Sequence, residues 1–261
     1  MNGHHSAVIL AAGRGSRLVE GRPYPKPLQP VSGVPLIVRV LRGLEGCGVR
    51  RVAVVTGYLG DVLETRVRKE RFSFRLGFIR NPRWHLPNGT SLLEAADFVR
   101  GPTLVLMSDH LWSPRLLAKV RSYPLGREEA VLGVDYAIGR CFDVDDATKV
   151  RTEAGRVIAI GKSLASYDAL DTGVFLVTPA LLSALRRVSG PNGCSLSEGV
   201  AGLAESGRMR AVDIGDASWI DIDTSAACAY AEKLLRDGSL HDRPTVPAAA
   251  ATLAPVTSQP A

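Results

Sequence analysis

The sequence has 261 residues, 46% of them hydrophobic and 22% charged, which is the balance of a soluble globular protein rather than of a disordered or fibrous chain. No run of about 18 apolar residues occurs, and the apolar run 7–10 is too short for the core of a secretion signal, so the sequence predicts neither a membrane span nor a cleaved leader. The four cysteines lack the close pairs of a disulfide framework or a thiolate zinc site, and we therefore expect a cytoplasmic protein.

The charge balance bears on which partners the protein binds. The 32 basic residues outnumber the 26 acidic residues, which gives a formal charge of +6. These basic residues are scattered, whereas a surface that follows nucleic-acid phosphates usually clusters them. The excess therefore favours a solvated, mildly basic surface or an anionic small-molecule substrate, with no nucleic-acid or membrane partner. A homodimer is one assembly that the sequence leaves open.

In the first half of the chain, short apolar strands alternate with helices. Apolar runs predict strands at 7–10, 51–56, 76–79 and 103–107. Helical spacing predicts helices at 36–44, 61–68 and 91–99, the last of them capped by Thr90 or Ser91. This alternation predicts an α/β fold in which a Rossmann-like, mostly parallel sheet carries helices on both faces.

After residue 109 the pattern changes from alternation to paired strands. Strands are predicted at 130–134, 173–177, 210–214 and 219–222, with a glycine-turn hairpin formed by 148–151 and 156–160. Helices are predicted at 179–187, 197–206 and 225–236. We therefore expect a mixed sheet with an antiparallel extension in one domain, 1–240, followed by a disordered tail rich in proline and alanine, 241–261.

The strongest local signal is a glycine loop that follows the first strand. Its backbone N–H groups are uncrowded and can bind phosphate oxygens, and Arg17 adds a planar, permanently charged group for the same anion. A dinucleotide fingerprint is rejected because Leu18 stands where it needs a third glycine, and no P-loop lysine follows, which leaves an ordinary tight turn as the alternative. The predicted nucleotide-binding residues of this loop are Leu10, Ala11, Ala12, Gly13 and Gly15.

A lysine enclosed by prolines follows this loop. Pro25 and Pro27 restrict the backbone on both sides of Lys26, so its ammonium group is presented from a stiff turn. An isolated lysine in such a turn is usually solvent-exposed. Together with the preceding glycine loop, Lys26 is predicted to be a second cation for one polyphosphate.

The glycine loop followed by Pro-Lys-Pro-Leu resembles the N-terminal signature of nucleotidyltransferases that join a nucleoside triphosphate to a sugar, choline or polyol phosphate. The resemblance extends over about residues 6–235 and is strongest to inositol-1-phosphate cytidylyltransferases. It implies the nucleotide-diphospho-sugar transferase fold and the transfer of CMP from CTP to inositol 1-phosphate or a similar small alcohol phosphate, with release of pyrophosphate. The matching segments are Asn88-Gly89-x-Ser91, Asp109-His110, Ala147-x-Lys149, Gly161-Lys162, Asp171-x-Gly173, Ser197-Glu198 and Trp219-x-Asp221-x-Asp223.

The resemblance also implies roles for individual residues. Asn88, Gly89 and Ser91 would contact the base, and Asp109 and Asp223 would bind Mg²⁺, a hard cation that prefers carboxylate and phosphate oxygens. Because a phosphomonoester is largely ionised near pH 7, catalysis would need positioning and charge neutralisation rather than a general base. The residues expected to supply that charge are Arg17, Lys26 and, at the acceptor phosphate, Lys149.

Four further side chains are predicted to contact the acceptor: His110, Asp171, Glu198 and Asp221. For Glu198 the alternative is a helix cap, for Asp171 a turn, and for His110 a packed histidine. Asp221 and Asp223 are expected to face opposite sides of their strand, with the metal on Asp223.

Other functions remain open at this point. The same chemistry could use GTP or UTP, or a phosphonate or another cyclitol or sugar phosphate as acceptor. A glycosyltransferase that binds its metal through Asp221-x-Asp223 is an alternative from another enzyme class, and it would not need Arg17 or Lys26.

Overall fold

The computed structural model describes residues 6–19 and 23–240, so the predicted tail 241–261 lies outside the described residues. The strands are β1 (Ser6–Ala11), β2 (Pro30–Val31), β3 (Val34–Pro35), β4 (Arg51–Thr56), β5 (Arg75–Arg80), β6 (Thr103–Met107), β7 (His110–Trp112), β8 (Ala130–Asp135), β9 (Lys149–Glu153), β10 (Arg156–Gly161), β11 (Ala169–Val177), β12 (Met209–Asp213) and β13 (Trp219–Asp221). The helices are α1 (Ser16–Val19), α2 (Leu36–Glu45), α3 (Gly60–Val67), α4 (Asn88–Glu94), α5 (Pro114–Arg121), α6 (Pro179–Val188), α7 (Leu196–Glu205) and α8 (Ser225–Arg236).

One mixed sheet organises these elements, in the strand order β5-β4-β1-β6-β11-β8-β12-β10-β9. Neighbouring strands among β5, β4, β1 and β6 are parallel, as the alternation of strands and helices predicts. β11 is antiparallel to both β6 and β8, and the hairpin β9–β10 extends the far edge. The predicted fold class, a mixed α/β sheet with helices on both faces and an antiparallel extension, is therefore confirmed, and the parallel part is the half of the sheet that β5, β4, β1 and β6 form.

The sheet divides the core into two apolar layers. Alternate residues of β1 point to opposite faces, so Ala7 and Ile9 belong to one layer and Val8 and Leu10 to the other. Helices α2, α3, α5 and α8 bury side chains in the first layer, and α4, α6 and α7 bury theirs in the second. Apolar cover on both faces explains why β1 reads as an uninterrupted hydrophobic run.

The structure corrects the helix predicted over 91–99. α4 begins at Asn88, directly after Pro87, and ends at Glu94. Thr90 and Ser91 are buried inside the helix, so neither caps it and the predicted cap is wrong. Thr90 instead accepts a hydrogen bond from the backbone of Cys194, which ties α4 to the segment before α7.

Two elements after β6 escaped the sequence reasoning. β7 is only three residues long and pairs with β13, more than 100 residues away, so no local pattern announces it. α5 begins at Pro114, a favourable first helical residue, and buries Leu116, Leu117 and Val120.

Within residues 6–19 and 23–240, no helix combines the length and the apolar character needed to cross a membrane.

Candidate active site

The site lies at the carboxyl ends of β1 and β6, which are adjacent and parallel. Leu10 of β1 is opposite Met107 of β6, and the Ser108 amide donates to the Leu10 carbonyl at 3.2 Å. The loop that follows β1 and the aspartate that follows β6 are therefore neighbours. This edge is where parallel α/β sheets generally bind ligands.

Lys26 is the buried cation of the site. It begins a short 3₁₀ helix, Lys26–Leu28, and is only 4% exposed. Gly15 has a φ of +60°, and a Cβ there would approach the side-chain carbons of Lys26 to 2.4 Å, so only glycine leaves space for this lysine. The ammonium group of Lys26 lies 2.6 Å from Oδ2 of Asp109 and also contacts Oδ1 of Asp223.

The protonation of these three groups follows from burial and charge. Burial opposes the charged form of Lys26, but Asp109, Asp221 and Asp223 outweigh it and raise the pKa of the ammonium group. Burial also opposes the charged form of Asp109 and would raise its pKa, but the positive charge of Lys26 holds that pKa at about 2. The pKa of Asp223 is raised by burial and by the neighbouring carboxylates Asp221 and Asp109, against the effect of Lys26.

A cavity of about 280 Å³, here called the glycine-loop cavity, opens beside Lys26 and Asp109. Among the predicted nucleotide-binding residues, those that line it are Leu10, Ala12, Gly13, Gly15, Asn88 and Ser91. Gly89 instead faces the backbone of Cys194, where a Cβ would lie 2.7 Å from the carbonyl oxygen. The structure thus brings the two ends of the predicted nucleotide site to one cavity.

A second cavity of about 140 Å³, here called the acidic cavity, shares Asn88 and Met107 with the first. It is lined by His110, Asp146, Lys162, Asp171, Asp221 and Asp223, among others. Asp146 pairs with Lys162 at 2.7 Å and with Arg17 at 2.9 Å, and Arg17 also contacts Asp223. Arg17 therefore reaches the same carboxylate as Lys26 from the solvent side.

His110 is held between acidic groups. Its Nε2 lies 3.5 Å from Oδ2 of Asp221, and its Nδ1 lies 3.9 Å from Oδ1 of Asp109. Burial alone would lower the pKa of this imidazole, but Asp221 above all raises it to about 9. Asp171 accepts a hydrogen bond from the Gly173 amide at 2.7 Å, yet burial raises its pKa to about 6.

The His110 pKa predicts a pH dependence of stability. Because the folded value of about 9 exceeds the unfolded value near 6.5, the contribution of His110 is complete below pH 6.5 and disappears as pH rises through 9. We expect this imidazolium to contribute about 3 kcal/mol to the free energy of unfolding at pH 6. Urea unfolding of wild type and His110→Gln at pH 6 and pH 9, in a chelator, would measure it. A stability difference between the two proteins that does not shrink toward pH 9 would contradict the prediction.

Two predicted site residues lie elsewhere. The ammonium group of Lys149 is buried and donates to the Asp145 carbonyl at 2.6 Å, and Lys149 is not among the residues that line the acidic cavity. Glu198 accepts hydrogen bonds from the amide and hydroxyl groups of Ser195 in a reciprocal cap at the start of α7. Glu198 therefore has the geometry of a helix cap, which was the alternative to its predicted contact with the acceptor.

The expected separation of Asp221 and Asp223 is wrong. Both carboxylates line the acidic cavity, and they lie close enough, with Asp146, to share one ion. The expectation misapplied the strand period, because residues two apart on a strand lie on the same face. β13 ends at Asp221, and the Ile222 amide just after it donates to the Asp109 carbonyl at 3.0 Å.

The acidic groups fit a divalent cation. Asp109, His110 and Asp221 form one potential ligand set, and Asp146, Asp221 and Asp223 form another. Oδ1 of Asp221 and Nδ1 of His110 are buried and find no hydrogen-bond partner within residues 6–19 and 23–240. Carboxylate oxygens that lack donors are suited to a hard cation such as Mg²⁺, Mn²⁺ or Ca²⁺.

Sequence reasoning did not single out Asp146, Lys162 or Phe142 as site residues. All three belong to the segments between β8 and β11, which reach the site only because β9 pairs with β11 as well as with β10. Gly161-Lys162 is one of the segments that carry the resemblance, but no role was predicted for Lys162. The acidic cluster 143–146 is a second visible signal, and a solvated loop explains such a cluster equally well.

Comparisons with known proteins agree with this geometry. The sequence profile of the MobA-like NTP transferase domain matches residues 7–193. The chain is 36% identical, over 88% of its length and 51% of the relative's, to the bifunctional IPC transferase and DIPP synthase of Rubrobacter xylanophilus. It is 29% identical, over 83% of its length and 36% of the relative's, to the CMP-5'-(3-aminopropyl)phosphonate synthase of Streptomyces rubellomurinus.

Among solved structures, the inositol-1-phosphate CTP transferase from T. maritima is similar to this chain. Its TM-score is 0.79 at 25% identity, and the match covers 90% of this chain and 96% of that one. The chain spans about half the length of the bifunctional curated relatives that it matches, such as those from Rubrobacter xylanophilus and Aquifex aeolicus.

Proposed function

The chain belongs to the MobA-like NTP transferase family, and on that premise we propose that it transfers CMP from CTP to inositol 1-phosphate or a similar small alcohol phosphate, releasing pyrophosphate. One observation carries the proposal: the ammonium group of Lys26 contacts Asp109, which lines the glycine-loop cavity, and Asp223, which lines the acidic cavity. The cation thus lies where the two cavities meet, between the proposed places of the triphosphate and of the acceptor. The two relatives named for inositol-1-phosphate and IPC transfer support the choice of acceptor.

The proposed roles follow from charge and position. The backbone of Gly13 and Gly15 would hold the distal phosphates in the glycine-loop cavity. Arg17, which contacts Asp223 from the solvent side, would add a second positive charge for them. Lys26 would bind the α-phosphate and neutralise the charge that develops as an acceptor oxygen attacks phosphorus and pyrophosphate leaves. Because the acceptor phosphate is already ionised near pH 7, no side chain has to remove its proton.

Mg²⁺ is the metal that we propose for the site. Asp109 and Asp223 would hold it, with Asp221 and Asp146 as neighbouring oxygen donors. When bound, such an ion neutralises triphosphate charge. The contact of Lys26 with both carboxylates holds them close together, which is the arrangement that a cation would use.

Lys162, rather than Lys149, is the better candidate for the acceptor phosphate. Lys162 lines the acidic cavity and is held there only by the exposed Asp146 pair, whereas the ammonium group of Lys149 is buried against a carbonyl. We expect Lys162→Met to raise the KM of the acceptor about tenfold and to leave the KM of CTP unchanged. Steady-state kinetics of Lys162→Met and Lys149→Met would separate the two lysines. A rise confined to Lys149→Met would restore the role predicted from the sequence.

A pyrophosphate-release screen tests the proposed function. Four nucleoside triphosphates would be crossed with inositol 1-phosphate, sugar phosphates, phosphocholine and aminoalkylphosphonates, with Mg²⁺ present. We expect turnover with CTP and an alcohol phosphate. A parallel reaction would offer a nucleoside diphosphate sugar in place of the triphosphate, and release of a nucleoside diphosphate from it would indicate sugar transfer. Turnover with another triphosphate would correct the base.

A phosphonate acceptor is the second candidate, because one relative is named for the synthesis of a CMP-phosphonate. The chemistry would be unchanged, since a phosphonate oxygen would attack the same phosphorus. Faster turnover with 3-aminopropylphosphonate than with any alcohol phosphate would favour it.

A further inference from the structure

An exposed aromatic ring lines the otherwise polar acidic cavity. Phe142 is 42% exposed, and of the large apolar side chains that are exposed in the described part of the chain, it is the one that lines this cavity. Lys162, Asp171 and Asp221 line the same cavity. The ring gives the cavity one apolar surface among charged groups, and covering it with the apolar face of a ligand would be favourable.

The ring is fixed in place rather than loosely attached. It stacks on Tyr230 of α8, with the ring centroids 4.9 Å apart and the planes at 25°. The segment that leads to Phe142 is anchored by Asp135, which is 3% exposed and accepts hydrogen bonds from the Ala137 amide at 2.9 Å and from Arg140 at 3.3 Å. Arg140 also donates to the Gly215 carbonyl at 2.6 Å. One face of the Phe142 ring is therefore supported by protein.

The cavity offers three different surfaces to one acceptor. Lys162 provides a cation for a phosphate, and the carboxylate of Asp171, which spends one oxygen on the Gly173 amide, can accept from a hydroxyl group. Phe142 provides an apolar face. A cyclic polyol phosphate matches this set, because its hydroxyl groups lie around the edge of the ring while its C–H groups form two apolar faces. An acyclic alcohol phosphate has hydroxyl groups but no such face.

We propose that Phe142 is a specificity-determining residue that selects a ring-shaped polyol phosphate over an acyclic one by packing against the apolar face of the ring. The inference rests on the proposed function, because it assigns the acidic cavity to the acceptor. It adds the shape of the acceptor class and the residue that reads it.

The test compares two acceptors in three variants. Inositol 1-phosphate is the cyclic probe and glycerol 3-phosphate the acyclic one, and the variants are Phe142→Ala, Phe142→Tyr and the control Ile158→Ala, an exposed apolar residue of β10 that does not line the cavity. We expect Phe142→Ala to raise the KM of the cyclic acceptor about tenfold while leaving kcat, the KM of CTP and the KM of the acyclic acceptor within twofold. Phe142→Tyr should restore the preference, and Ile158→Ala should not change it.

The outcomes separate this inference from the proposed function. An equal rise in KM for both acceptors, or an unchanged preference in Phe142→Ala, would overturn the role of Phe142 while leaving the transferase activity in place. Wild-type protein that neither turns over nor binds any alcohol phosphate, by kinetics and by calorimetry, would overturn both. If the wild-type protein preferred the acyclic acceptor, the role of Phe142 would be overturned while the transferase activity remained.

Discussion

Replacing Lys26 with methionine is expected to lower kcat for pyrophosphate release by about 100- to 1000-fold, the usual loss for one preorganised charge donor. Methionine keeps most of the aliphatic stem that packs against Gly15 and removes only the ammonium group, which contacts Asp109 and Asp223. Lys26 is buried where the two cavities meet, whereas Arg17 reaches Asp223 from the solvent side, so the two cations occupy different positions. Steady-state kinetics at saturating substrates would measure the loss.

The same substitution has an electrostatic signature that a merely structural change lacks. Lys26 holds the pKa of Asp109 at about 2, so its removal leaves mutually repelling carboxylates and raises that pKa. The residual activity of Lys26→Met should therefore fall at a higher pH on the acid side than the activity of wild type. Lys233→Met, at an exposed position of α8, is the matched control and should leave both kcat and the pH profile unchanged. Wild-type turnover in Lys26→Met would remove this lysine from the mechanism.

The part of the site that sequence reasoning recovered is the part built on neighbouring parallel strands. A glycine loop after β1 and an aspartate after β6 meet because the carboxyl ends of adjacent parallel strands share one edge of the sheet. Lys26 was identifiable because a lysine confined by two prolines follows the glycine loop, and neither feature alone predicts its role. For these residues the local sequence pattern and the parallel pairing of β1 with β6 predict the same position. Any parallel sheet in which β1 and β6 are neighbours brings the glycine loop and Asp109 together.

The acceptor side depends on pairings that no local pattern specifies. The register shift in β11 between Asp171 and Phe175 is a bulge at Gly173, whose φ is +73° and whose missing Cβ makes room for the His110 ring. The hairpin β9–β10 places Lys149 opposite Gly161 in the sheet, so Lys162 lies just beyond the end of the paired region and is free to line the cavity. A shift of one residue in this hairpin would exchange the faces of these strands, which the sequence alone cannot exclude.

Asp109→Asn and Asp223→Asn are expected to weaken Mn²⁺ binding at least about tenfold and to lower kcat about 100-fold. Each substitution keeps the size of the side chain and removes one of the two carboxylates that Lys26 draws together. Metal binding can be followed without substrates, by calorimetry or by the relaxation of water protons. That readout separates loss of the ion from loss of activity for other reasons.

Asp221→Asn and the exposed control Asp97→Asn complete the series. Asp221 has an uncommitted buried oxygen but is already paired with His110, so its loss should weaken Mn²⁺ binding by less than the loss of Asp223. Asp97→Asn should bind the ion as wild type does, because Asp97 is exposed and lines neither cavity. If Asp221→Asn lost the ion and Asp223→Asn kept it, the cation would belong to the Asp109–His110–Asp221 set instead. An unchanged Mn²⁺ affinity in Asp109→Asn, Asp221→Asn and Asp223→Asn would mean that these carboxylates balance the charge of Lys26 and Arg17 and hold no metal of their own.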